Sequence, residues 1–166
     1  MRYLLKKKFW SLGTKFFVYN EEGEPVYEIR GKFLSWSDQF SLLDLEGNVL
    51  AEIHKRSFQW KPRFGIYRDG ELFAEMVQNF TWTNKRYTIE APDANYVVEG
   101  NFWDYQYQVE RDDESIAEIA SPFWVWENGY GIETVDGADN ILVLCACLII
   151  DRVKTRKREA MRRSSD

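Results

Sequence analysis

The chain has 166 residues, 45% of them hydrophobic and 16% aromatic, with two cysteines, four prolines and a formal net charge of −5. This is the length of one domain and the apolar content of a globular one, which excludes a disordered or fibrous chain; two cysteines exclude a disulfide scaffold and fit a reducing cytoplasm. Residues 151–166 hold seven basic and three acidic side chains, a balance of +4, while the other 150 hold fifteen basic and twenty-four acidic ones, −9.

At the start, Tyr3, Leu4 and Leu5 are the only apolar stretch before Lys6, Lys7 and Lys8. A secretory signal needs ~7–15 apolar residues and a small-residue cleavage site, so export by that route is not expected and the sequon Asn79-Phe80-Thr81 carries little weight. Strands are expected over Tyr3–Lys7 and Lys15–Tyr19. A series of turn signals follows: Glu22-Gly23, Glu46-Gly47, Asp69-Gly70, Pro92-Asp93, Asp112-Asp113 and Asp136-Gly137. With Gly23, Gly47, Gly70, Asp93, Asp113 and Gly137 as markers, the spacings are 24, 23, 23, 20 and 24 residues. Glycine, aspartate and asparagine tolerate the positive φ of tight hairpin turns, so the repeat predicts six hairpins and about twelve strands. An antiparallel sheet of that size curls or closes, because open twisted sheets rarely exceed ~10 strands and closure removes exposed edges.

The strand after each of the first five turns carries a glutamate at the same place: Glu28, Glu52, Glu75, Glu99 and Glu118. Alternate strand residues face opposite sides, so a solvated outer face is favoured over a metal or catalytic ring, which no histidine or cysteine accompanies. The single histidine, His54, excludes a histidine triad or a site with two imidazoles within one chain, and reads as an exposed strand-end residue. Asp112 and Asp113 fall on a turn tip where solvation is expected. No G-x-S-x-G, G-x-x-x-x-G-K-[ST], H-E-x-x-H or G-x-G-x-x-G motif occurs; neither enzyme activity nor a catalytic residue, metal or cofactor is expected. Phe58-Gln59-Trp60-Lys61-Pro62-Arg63 interleaves aromatic and basic side chains, but an acidic body argues against a nucleic-acid partner. The seven tryptophans, with Phe and Tyr, are expected to fill the interior.

From Ile141 to Ile150 ten consecutive residues are apolar. Asp136, Asp139 and Asn140 precede the run and basic residues follow it, the charge order a helix dipole favours, so a helix is expected from about Asp139 to Arg158. Cys145 and Cys147 are about 200° apart on it and read as inert packing residues. A helix apolar all round must be enclosed by lipid or by protein. Ten residues rise ~15 Å, about half of a ~30 Å hydrocarbon core, and Asp151 and Arg152 would fall inside the bilayer. A transmembrane helix is therefore not expected. A closed barrel near twelve strands has room that such a helix would fill.

The segment Lys7-Lys8-Phe9-Trp10-Ser11-Leu12-Gly13-Thr14-Lys15-Phe16, then Glu22-Gly23, then Tyr27-Glu28-Ile29-Arg30-Gly31-Lys32-Phe33, closely resembles the start of the LURP-one-related family. The terminal Ala146-Cys147-Leu148-Ile149-Ile150-Asp151 is similar to the Ala-Cys-x-x-Ile-Asp stretch of phospholipid scramblases. These families and the tubby C-terminal domain share a twelve-stranded barrel around a central C-terminal helix. The resemblance thus implies a mainly β fold, a closed antiparallel barrel around a hydrophobic helix, over roughly 1–158. Residues 159–166 are expected to be a basic, disordered tail.

Tubby domains bind phosphoinositide headgroups through basic residues, and scramblases are linked to lipid movement and calcium. No D-x-[DN]-x-[DN]-G loop is present, and Asp136, Asp139 and Asn140 read as a turn and helix start rather than a calcium site. The functional expectation is a cytoplasmic, non-enzymatic binding or scaffold domain, peripheral at the inner membrane surface. Its headgroup contacts would be Lys154, Arg156, Lys157 and Arg158, joined by Lys6, Lys7 and Lys8. The alternative is a protein-interaction or small-ligand-carrier domain with no membrane role.

Overall fold

Strand-forming segments alternate with tight turns through residues 1–6, 15–34, 37–56, 60–80, 85–100, 106–120 and 129–164, which the computed structural model describes (for 6, 32–34 and 37–38, the backbone alone). The elements are β1 (Arg2–Lys6), β2 (Lys15–Tyr19), β3 (Pro25–Leu34), β4 (Ser37–Leu43), β5 (Val49–Arg56), β6 (Arg63–Arg68), β7 (Glu71–Phe80), β8 (Lys85–Glu90), β9 (Asn95–Gly100), β10 (Gln106–Arg111), β11 (Glu114–Ala120), β12 (Gly129–Thr134) and α1 (Asn140–Arg163). Every strand pairs antiparallel with its sequence neighbours, and β1 pairs with β12 to close the barrel. The expected mainly β, closed antiparallel barrel with a C-terminal helix is the observed fold.

The turns form where the backbone can go left-handed. Five of the six markers have positive φ: Gly23, Gly47, Gly70, Asp113 and Gly137. In Asp69-Gly70 and Asp112-Asp113 both central residues do, the mirror-image turn whose twist matches the flanking strands. Four hairpins shift register by one residue, at Val18/Tyr19, Leu42/Leu43, Ile66/Tyr67 and Val109/Glu110, a bulge that tightens local twist.

Inward positions meet inward positions round the barrel: Ile53 lies opposite Ile66, Met76 opposite Ile89, Val98 opposite Val109 and Ile119 opposite Ile132, all at most 2% exposed. The interior is occupied by α1, whose residues Leu142 to Ile150 are at most 1% exposed. An all-round apolar helix finds its only favourable surroundings there, since each buried large aliphatic side chain contributes ~1.5–3 kcal/mol relative to exposure. Aromatic filling comes from Phe40, Phe64, Tyr87, Tyr96, Tyr107 and Tyr130. Trp60 does not fill the interior as expected: it falls before β6 begins and is fully exposed. Trp10, Trp36, Trp82, Trp103, Trp124 and Trp126 lie outside the described residues.

The helix end also differs from expectation. Instead of stopping near Arg158, α1 continues through Arg163, and Ser164 N–H donates to the Ala160 carbonyl at 3.2 Å. Glu159, Ala160, Met161, Arg162 and Arg163 are good helix formers, and Arg162 and Arg163 complement the negative end of the dipole. A basic run is no stop signal. Among the described residues, no helix is long and apolar enough to cross a membrane.

The five glutamates do point outward, each beside buried inward neighbours such as Ile29, Ile53, Met76 and Ile119. They are not all freely solvated. Glu28 is covered by Arg30 and Lys15, the latter at 3.3 Å, and Glu75 lies 3.0 Å from Arg56 and 2.6 Å from Arg63. Basic side chains on the same strand, on an adjacent one or, for Arg56, two strands away reach them across the outer face, which period-two alternation alone does not reveal. His54 is not at a strand end either; it lies within β5, its ring 4.7 Å from that of Tyr67.

Candidate functional site

The two ends of the barrel are chemically unlike. At one end the connections 20–24, 44–48, 69–70, 91–94, 112–113 and 135–139 hold eleven acidic residues and no basic one. Asp139 caps α1 there: its carboxylate accepts from Leu142 N–H at 3.0 Å and pairs with Arg68 Nη2 at 2.7 Å. Thr134 Oγ1 donates to Asn140 Oδ1 at 2.8 Å. The residues weighed for calcium thus start the helix, and among the described residues no group of three or more His, Cys, Asp or Glu is arranged to hold a metal ion. A crevice of about 460 Å³ between Arg111, Asp112, Glu114, Asp136 and Asp139 keeps this end acidic.

Because α1 starts at the turn end and runs back through the barrel, it leaves at the opposite end. Its charges begin before it clears the rim. Asp151 is 1% exposed and accepts from the Tyr130 hydroxyl at 2.9 Å. Burial raises the Tyr130 phenol well above its ordinary range, so it is the donor. Arg152 is 7% exposed, and its guanidinium lies 3.9 Å from the Glu159 carboxylate, two turns further along.

Lys154 is 7% exposed, with Nζ 4.6 Å from the centre of the Tyr107 ring and 5.5 Å from that of Tyr130. This corrects the sequence-based assignment. Lys154 is a barrel residue held by two aromatic faces, an arrangement that stabilises an ammonium by ~0.5–2 kcal/mol, and it is withdrawn from any surface that approaches the rim. Arg156 is half-buried; Lys157 and Arg158 are exposed. Lys6 ends β1 opposite Gly129 at the same end, and Lys7 and Lys8 lie outside the described residues.

A basic residue that motif reading missed joins them. Lys85 opens β8 at this rim, and its ammonium is pushed below the usual lysine range by burial, then by Lys157 and Arg158. Its nearness to α1 comes from barrel closure and carries no local sequence signal. Among the described residues, the exit end gathers cations, an arrangement that attracts anions.

No significant match to a curated protein or to a solved structure is found for the chain. The family model described as LURP-one-related matches residues 1–151, which include every strand of the barrel and the buried part of the helix up to Asp151, and the chain belongs to the LURP-one-related family.

Proposed function

We propose that this domain is a non-enzymatic binding module that associates peripherally with anionic phospholipid headgroups on the cytoplasmic side of a membrane, through Arg156, Lys157 and Arg158. The observation that carries the reading is the cationic end of α1, which extends past the rim opposite a ring of eleven acidic turn residues. Such a charge separation orients the molecule, since an anionic surface attracts one end and repels the other. Each basic residue near an anionic leaflet contributes ~1 kcal/mol, so a few give weak attachment that salt reverses within a Debye length of ~8–10 Å. Lys6, whose backbone ends β1 at the same rim, adds a basic residue to that end. A carrier of a ligand inside the barrel is the weaker reading, because α1 occupies that space.

Sedimentation with vesicles of phosphatidylcholine, with and without 30 mol% phosphatidylserine, tests this. The chain should bind only the anionic vesicles, several-fold less in 0.3 M salt than in 0.05 M. Lys157→Glu with Arg158→Glu should weaken binding roughly tenfold or more, as ~1 kcal/mol per charge requires. Unchanged binding by that variant would remove the helix end from the site.

A further inference from the structure

The helix-exit rim carries apolar side chains among its cations. Trp60 is fully exposed, Phe80 is 70% exposed and Met161 is 56% exposed. All three lie at this end of the barrel. Gln78 N–H donates to the Pro62 carbonyl at 3.1 Å, which extends the β6–β7 pairing beyond Arg63 and Val77 toward the rim where Trp60 and Phe80 lie. Phe80 is in turn the register partner of Lys85. Lys85 lies within the electrostatic reach of Lys157 and Arg158, and Met161 stands one helical turn beyond those two.

Helix geometry places Lys157, Arg158, Met161 and Arg162 on one face of the projecting stub. The acid of the stub, Glu159, lies on the opposite face, toward Arg152. Lys61, exposed beside Trp60, adds another cation. Basic residues interspersed with tryptophan, phenylalanine and methionine form the footprint of a surface that sits at the headgroup boundary of a bilayer. Exposed apolar residues also occur at the other end, as Leu45, Leu72 and Val135, but there they stand among the acidic turns, which an anionic leaflet repels.

We propose that the domain docks end-on against an anionic bilayer, with Trp60, Phe80 and Met161 entering the headgroup–acyl boundary while Lys61, Lys85, Lys157 and Arg158 meet the headgroups. This rests on the lipid-binding reading above and adds to it an orientation and an apolar anchor. Attachment then has two components, one that salt screens and one that it does not.

The test uses the full chain and vesicles of phosphatidylcholine with 30 mol% phosphatidylserine. Trp60→Ser, Phe80→Ser and Met161→Ser combined keep every charge and should lower apparent affinity at least roughly tenfold with an unchanged melting temperature. As a second measurement independent of that variant's folding, an environment-sensitive dye is attached at Phe80→Cys or, separately, at Leu45→Cys. Vesicles should blue-shift the first and leave the second unchanged. Full affinity of the triple serine variant, or an equal shift at Leu45→Cys, overturns end-on docking while the lipid reading stands. If the unmodified chain sediments with no vesicle, or is captured by single-stranded RNA and not by vesicles, the lipid reading itself falls.

Discussion

Glu28 sits on the outer face of β3 with its side chain only 11% exposed, beneath the guanidinium of Arg30 and the ammonium of Lys15. Arg30 and Lys15 are direct register partners across β2 and β3, so the two cations meet over one carboxylate. The hydrogen bond from Arg30 holds the Glu28 carboxyl below the usual glutamate range, with burial opposing and Lys15 assisting. A carboxyl whose folded pKa is depressed adds stability above its unfolded value, and that stability is lost as pH falls through the folded value. Glu28→Gln should therefore cost stability at pH 7, and the difference from the parent should shrink as pH falls below ~4.5 and vanish under strong acid. Urea melts at a series of pH values measure this. A difference that stays constant with pH would show that packing, not charge, sets the effect.

At the scale of elements, the start of α1 was legible and its end was not, for physical reasons. Asp139 is the residue type that caps a helix, and the carboxylate that accepts from Leu142 N–H also holds Arg68, whose guanidinium lies 3.9 Å from the centre of the Phe73 ring. Asp139→Ala removes both the cap and the tie to β6 and should cost ~1–2 kcal/mol; Asp139→Asn keeps an acceptor for the cap and should fall between it and the parent. Equal thermal stability of alanine variant and parent would deny the cap any structural weight. The hairpins were likewise legible, because left-handed turn positions need glycine or aspartate and each such residue announces itself locally. The helix end has no glycine or proline to mark it, and its run of charges has the composition of a solvated tail as much as of a helix. Lys154 was misplaced for a related reason. Whether a helical residue lies inside or outside the rim depends on strand tilt and register across the barrel, here on Tyr107 and Tyr130, which sit 47 and 24 residues earlier in the sequence. Lys85 was missed by the same logic, since pairing along β7 and β9, not its neighbours in sequence, sets it beside α1.

At the scale of the whole molecule, neighbouring strands pair through short hairpins, but closure joins Arg2–Lys6 to Gly129–Glu133. The terminal ammonium of Met1 donates to the Thr134 carbonyl at 2.7 Å, and Arg2 pairs with Glu133 at 3.1 Å, so the seam closes where the chain turns toward α1. A barrel of about twelve strands cannot fill itself with its own side chains, so helix and wall are stable only together. Leu144 is 1% exposed and Leu148 is fully buried, both within that shared core. An aspartate at either position brings a charge into apolar surroundings at a cost of several kcal/mol, comparable with the ~5–15 kcal/mol stability of an entire domain. Leu148→Asp and Leu144→Asp should each abolish cooperative unfolding in urea, whereas Leu45→Asp, at a site 55% exposed on a turn, should leave the transition almost unchanged. The control separates loss of the core from a general intolerance of added negative charge on an already acidic chain. Cooperative unfolding retained by both helix variants would mean that the wall stands without its filling, and the mutual dependence of barrel and helix would have to be given up.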